Sequence, residues 1–466
     1  MPITRRTVLS TAAALPAVAL LSGAPFASAN TKRTYYVSES GSDDAAGTSE
    51  SAPWKTVNRV NQAFADGTIS HGDSVFFKRG ERFYGEFPSL PTPSGSELLT
   101  LGAYGSGERP QIMGYQVLNQ RGAWSKAGNN LWQIYLGDPK NFVGNTSTPE
   151  DRSGNVGFIR VNNKILGHKK ATVDELSADW EFHSDAGSKI LTVFVPNNPS
   201  DYGDVRVAVD GRLVQATSNL VVQDLDLIGT GGHGIQIVDC TGVKILNNRI
   251  RHIGGSELKG FSVPNTRYGN GVEAWIGSKD VLVEGNIIAD VYDVATTMQG
   301  EQTLEPDQWG SPIRLGWRNV AFKGNRITRC SQSFEVWARG SNTSSEAGFI
   351  GCSFTGNHCT DAGVGWGYEA RPNKGEGGVH LLSYNEELPA DVSITGNRFV
   401  NAVNAYVYRG EKFKAKMSVN NNTIQLKAGQ RLQANSGEPQ QLETIEQHVA
   451  WSQATGMDAD STFIID

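Results

Sequence analysis

From Asn219 onward the chain alternates apolar and polar residues in short runs broken by Gly, Asn or Asp. Period two is the mark of half-buried β-strands. Within this region one phrase returns six times: an apolar strand, a small or polar residue, Asn, any residue, then an apolar one. It is read at Asn248 (LNNRI), Asn286 (EGNII), Asn325 (KGNRI), Asn357 (TGNHC), Asn397 (TGNRF) and Asn422 (NNNTI), with spacings of 38, 39, 32, 40 and 25 residues. A repeat of variable length with Asn at a fixed place predicts a parallel solenoid, whose stacked Asn side chains hydrogen-bond along a ladder. The excess in the longer repeats then sits in loops on one face.

One strand in each repeat carries the informative alternation: GIQIV at Gly234, GVEAW at Gly271, VATTM at Val294, FEVW at Phe334, GVHLL at Gly378 and AYVYR at Ala405. Ile235, Ile237, Val272, Ala274, Phe334, Val336, Val379 and Leu381 are expected inward. Gln236, Glu273, Thr297, Glu335, His380 and Tyr406 or Tyr408 then form an outward column, one residue per coil.

Ahead of the repeats the pattern is less regular. Strands are predicted at Tyr35–Ser38, Asp73–Lys78, Leu98–Ala103, Val156–Val161, Ile190–Val195 and Val205–Val209. The spacing of Val57, Val60, Ala63 and Phe64 predicts a helix over Trp54–Asp66 that caps the solenoid. Asn163–Lys170 and Leu176–Gly187 read either as excursions from early coils or as a small inserted β subdomain. The clearest coils span 219–426, and residues 427–466, with a helix-leaning stretch at Gln440–Ser452, read as a C-terminal cap.

Composition narrows the function classes. Gly is 53 of 466 residues, against a usual content of about 7%, as a chain of short strands and tight turns requires. The net charge is −6 and no Lys or Arg run stands out, which argues against nucleic acid and membrane surfaces as partners. Residues 1–29 combine Arg5 and Arg6, an apolar stretch from Ala12 to Leu21 and a small-residue end at Ala27-Ser28-Ala29. They read as a signal peptide of twin-arginine type, so the mature chain from residue 30 is expected outside the cytoplasm as one domain and a monomer. The four cysteines, Cys240, Cys330, Cys352 and Cys359, are too few for a disulfide scaffold and lack metal-ligand spacing.

The column supplies the candidate chemistry. Glu273 and Glu335 each stand two residues before a Trp, Trp275 and Trp337, on the same strand face. Paired carboxylates serve acid/base glycoside hydrolysis, and flat indoles stack on sugar rings. Asp293 and Glu369 are the substitutes for one member of the pair. Trp366, Arg267, Tyr268, Arg371, His380 and Tyr384 are the further substrate-binding candidates. An outward polar residue on a solenoid is also often merely solvated, and a Trp merely covered by a loop.

The Asn-punctuated coils, TYYVSESGSDDAAGTSESAPWKTVNRV at Thr34–Val60 and GDSVFFKRGERFYG at Gly72–Gly85 together resemble the right-handed parallel β-helix (pectin lyase-like) superfamily of secreted polysaccharide-active proteins. The resemblance covers nearly the whole mature chain and implies an all-β solenoid and carbohydrate work, without naming the reaction. Hydrolysis through Glu273 and Glu335 is the favoured expectation, with no cofactor. The alternative is β-elimination on a uronic-acid glycan, which would draw on Arg, Tyr and His residues such as Arg371, His380 and Tyr384, with Ca²⁺ as a possible need. The sequence shows no clustered Asp pair of the kind pectate lyases use for that ion. A non-catalytic glycan-binding β-helix is the third reading.

Overall fold

The computed structural model describes residues 32–466 apart from 262, 264, 302–315, 340–346, 373, 376, 385–389, 410–416, 435–439 and 442. The leader read at residues 1–29 therefore lies outside the described residues.

Three long sheets of ten, nine and ten strands run side by side along the described chain. Each circuit contributes one strand to each sheet. Leu220–Gln223, Asp226–Thr230 and His233–Ile237 make one such circuit, and Thr241–Leu246 starts the next. Successive circuits pair in parallel: Val222 with Ile245, Leu227 with Ile250, Ile235 with Val272. This is the parallel β-helix that the repeat predicted.

The corner between the first and second sheets holds the asparagines. Asn286 Oδ1 accepts from the Asn248 backbone N–H at 2.8 Å and from its Nδ2 at 3.1 Å. The same pair of bonds joins Asn286 to Asn325, Asn325 to Asn357, Asn357 to Asn397 and Asn397 to Asn422. Each Nδ2 also donates to a strand carbonyl of the circuit before, such as Val283 O for Asn325 at 2.9 Å. All six side chains are 0–2% exposed. An amide carries both donor and acceptor, so a stack of identical amides satisfies itself without water.

Inside, Ile, Val, Leu and Phe side chains from all three sheets form one continuous core. At its start the helix Val57–Ala65 buries Val57, Val60, Ala63 and Phe64 in that core, with Thr56 as N-cap accepting from Arg59 N–H. All four cysteines are buried thiols that form no disulfide among the described residues.

The irregular stretch ahead of the repeats is an inserted β subdomain rather than a set of coil excursions. Two sheets of five and four strands, antiparallel throughout, take strands from Tyr115–Val117 to Val205–Val209. They pack around a separate core that includes Phe182, Leu191, Val193 and Val207. The region beyond residue 426 is more than a cap. Arg431–Ala434 continues the nine-stranded sheet beside Ala405–Arg409, and Thr462–Ile465 pairs with Thr423–Leu426, with the helix Ile445–Thr455 between them.

Candidate active site

The sheet that holds His233–Ile237 also carries the predicted column, and its register can be followed residue by residue. Gln236 lies beside Glu273, Glu273 beside Thr297, Thr297 beside Glu335, Glu335 beside Leu382 and Leu382 beside Tyr408. The two glutamates are thus two strands apart, a backbone separation of about 10 Å at the usual strand spacing. A second row on the same face runs Trp275, Gln299, Trp337.

The carboxylates are not on an open surface. Glu273 is 1% exposed and Glu335 4%. Glu273 Oε1 accepts from Asn270 Nδ2 at 3.1 Å and Gln299 Nε2 at 2.7 Å. Its Oε2 accepts from Gln236 Nε2 at 2.6 Å and stands 3.3 Å from His233 Nε2. The neighbours fix the direction of these bonds. Asn270 Oδ1 takes the Val294 N–H, Gln236 Oε1 takes Arg212 Nε, and His233 Nδ1 takes the Asn270 N–H. The Asn270 and Gln236 amides therefore present N–H to Glu273, and the imidazole carries its proton on Nε2. Burial, with the charges of Arg212 and Arg152, keeps His233 neutral by lowering its pKa well below the usual value. Burial raises the Glu273 pKa, while the Gln236 hydrogen bond, the Arg212 charge and the Gln299 and Asn270 bonds oppose it. Four donors and no acceptor surround this carboxylate, which is the environment of an ionised group. Glu335 Oε2 accepts from Thr297 Oγ1 at 2.9 Å.

Beside Gln236 the face opens into a cavity of about 230 Å³ whose walls include Glu86, Arg152, Arg212 and Gln215. Glu86 is 0% exposed; burial, aided by the charge of Asp210, pushes its carboxyl up to about 8. Asp210 Oδ1 accepts a hydrogen bond from the Tyr268 hydroxyl, and the Tyr268 ring stands 5.0 Å from that of His233. A largely buried polar network of hydrogen bonds, ring contact and close charges therefore extends from Glu86 through Asp210, Tyr268 and His233 to Glu273. The cavity and this network draw on three places in the chain: the corner at Glu86, the insertion at Arg152 with its end at Asp210, and the helix coils.

Several predicted site residues take other places. His380 is 0% exposed, with Nδ1 on Ser333 Oγ at 3.0 Å, Nε2 on Asn401 O at 3.1 Å and its ring 5.3 Å from Phe399. It is a core residue, and Leu382 fills its expected place in the column. Trp366 is buried against Phe158 and Tyr292, with Nε1 donating to Asp290 O at 2.9 Å, so it offers no stacking face. Arg267 is buried and donates to the carbonyls of Gly255, Gly167, Ala370 and Gly157, fastening the Ser256–Tyr268 hairpin to the insertion. Gly255, at φ 92°, allows this approach, since a Cβ there would sit 2.8 Å from Gly157 O. Asp293 is paired with Arg371 at 2.7 Å, which occupies both of these candidates. Glu369 lies exposed on the short helix Trp366–Glu369, away from the column. Trp275 and Trp337 are half-buried on the column face, and Tyr268 is half-buried within the network. The side chain of Tyr384 lies outside the described residues.

Sequence reasoning passed over Glu86, Arg152, Asp210, Arg212, Asn270 and Gln299 as site residues. Gln299 was within reach, two residues beyond Thr297 on the same face. The others sit at corners and in the insertion, where no period marks them.

No family model matches the chain. It is 31% identical over 195 residues to a lacto-N-biosidase of Bifidobacterium longum subsp. longum, a match that covers 38% of this chain and 12% of that protein. The chain thus spans a small part of the length of that curated relative. Among solved structures, a glycoside hydrolase aligns over 93% of this chain and 96% of its own at 8% identity and a TM-score of 0.44. Pectate lyase Pel9A aligns over 94% and 78% at 12% identity and a TM-score of 0.44. The GH136 lacto-N-biosidase from Eubacterium ramulus aligns over 93% and 68% at 12% identity and a TM-score of 0.37. At those scores the likenesses carry no argument about reaction or substrate. The chain's own stacked parallel coils make it a parallel β-helix protein.

Proposed function

We propose that this chain is an exported carbohydrate-active enzyme that hydrolyses glycosidic bonds of a polysaccharide or oligosaccharide, with Glu273 and Glu335 as its carboxylate pair. The observation that carries the reading is the register: two carboxylates stand two strands apart on one sheet face, one of them held by four neutral donors. The sequence match to a lacto-N-biosidase supports work on glycans. Glu273 suits the base. Its donors leave no acceptor for a carboxyl proton, which favours the ionised form that a base needs. Glu335 suits the acid that protonates the leaving oxygen. A spacing of about 10 Å leaves room for water between base and anomeric carbon, as an inverting mechanism requires. The proton that Glu273 takes from water and the one that Glu335 gives to the leaving group balance over the turnover. Trp275 and Trp337 flank the pair as stacking surfaces.

The test is to incubate the mature protein, with and without chelator, against neutral and uronate polysaccharides while following reducing ends and the ultraviolet absorbance of an unsaturated uronate. Reducing ends without that absorbance are expected. Both signals together on an acidic glycan would make the enzyme a lyase and overturn the assignment of Glu273 and Glu335.

A further inference from the structure

The cavity beside Gln236 contains charges that the hydrolytic pair does not use. Arg212 enters it from the strand Arg212–Gln215, and Arg152 from the loop between Val143–Gly144 and Val156–Val161 of the insertion. The Arg212 Nε is spent on Gln236, but neither guanidinium forms an ion pair among the described residues, and the Arg152 side chain makes no hydrogen bond among them. Elsewhere the protein pairs its arginines in like positions: Arg251 with Asp226, Arg329 with Asp290 and Arg371 with Asp293. Glu86 Oε2, buried in the same wall, also has no hydrogen-bond partner.

We propose that this cavity is a subsite for a sugar ring bearing an anionic group, a carboxylate or a sulfate, held between Arg152 and Arg212. The inference rests on the glycan-cleaving reading and names a substrate class for it. The volume, about 230 Å³, equals that of roughly eight waters and suits one ring rather than a chain. Guanidinium groups match both anions in shape and charge, and two of them in a partly desolvated wall are costly until a counter-charge arrives. The acids already present do not supply it. Burial and Asp210 push Glu86 up to about 8, which leaves it a neutral donor at pH 7. Asp210 is engaged by Tyr268 and by Asn155 Nδ2 at 3.4 Å. Glu86 would give its proton's hydrogen bond to the same anion. Gln236 lines the cavity and donates to Glu273, so the ring held there lies next to the carboxylate pair.

The experiment is calorimetric titration of the mature chain and its Arg152→Gln variant at pH 7 and low salt. The probes are glucuronate, galacturonate, galactose 6-sulfate, glucose, galactose and inorganic sulfate. At least one acidic sugar is expected to bind about tenfold or more tighter than its neutral counterpart, and Arg152→Gln to remove most of that preference while the melting temperature holds. Which acidic sugar binds assigns the anion. Equal binding of neutral hexoses, an unchanged preference in the variant, or inorganic sulfate binding as tightly as any acidic sugar would each overturn the subsite. The two readings fail separately. Cleavage of glycans without acidic-sugar preference sinks the subsite alone, and acidic-sugar binding without cleavage of any glycan sinks the hydrolase alone.

Discussion

Two ladders of buried polar side chains run along this helix, and they differ in kind. The asparagine ladder at the first corner repeats one residue, and each amide satisfies the next. The row on the sheet that holds Glu273 repeats nothing: Gln236, Glu273, Thr297 and Glu335 succeed one another. Uniformity is what a structural stack needs, because identical amides complement themselves at every step. A carboxylate cannot donate to its neighbour, so each one in a buried row demands dedicated donors. Glu273 has four of them, drawn from three successive strand levels. Burying and satisfying a charge in this way is costly to fold and is most readily understood as a requirement of chemistry.

Substitutions can break that contrast. The largest effect is expected for Glu273→Gln, which turns an acceptor into a donor facing other donors: kcat should fall by about 10³-fold or more, with a lower melting temperature. Near-normal turnover in the folded variant would reduce the row to a second structural ladder. Glu335→Gln should lower kcat by about 10²–10⁴-fold in the folded protein. In the other ladder, Asn325→Ala strips partners from the Asn286 N–H and the Val283 carbonyl. Urea unfolding should register a loss of about 2–5 kcal/mol, with specific activity of the folded protein preserved. If activity collapsed together with stability, the division between the ladders would fail.

The smallest effect is a pH dependence. The Glu86 carboxyl is raised from 4.5 to about 8 by burial and by Asp210. A raised carboxyl favours folding most below its unfolded pKa, and that stability is lost as pH rises from about 4.5 through 8. His233, lowered by burial, contributes with the opposite sign: its stability is present above pH 6.5 and lost as pH falls below it. Melting temperatures of the parent and Glu86→Gln between pH 5 and 8 isolate the first term. The parent should lose ground to the variant toward pH 8, and parallel curves would show Glu86 to be unperturbed.

The repeat phrase, the inward alternation and the E-x-W strands are local patterns, and they determined the coils, the asparagine ladder and the pairing of Glu273 with Glu335 two strands apart. Period two follows from strand geometry alone, so any half-buried strand writes it into the sequence. A slip of two residues, however, leaves that period unchanged. His380 and Leu382 therefore looked equivalent, and only the stacked register set Leu382 beside Glu335 and turned His380 onto Phe399. Trp366 and Arg267 had the composition of a glycan site, but packing against the insertion made them structural. The cavity was the least legible feature. Glu86, Arg152 and Arg212 are far apart in sequence and meet because an inserted antiparallel subdomain folds back on the first circuits. Strand periodicity is a property of neighbours along the chain, whereas a charged cavity is a property of neighbours in space.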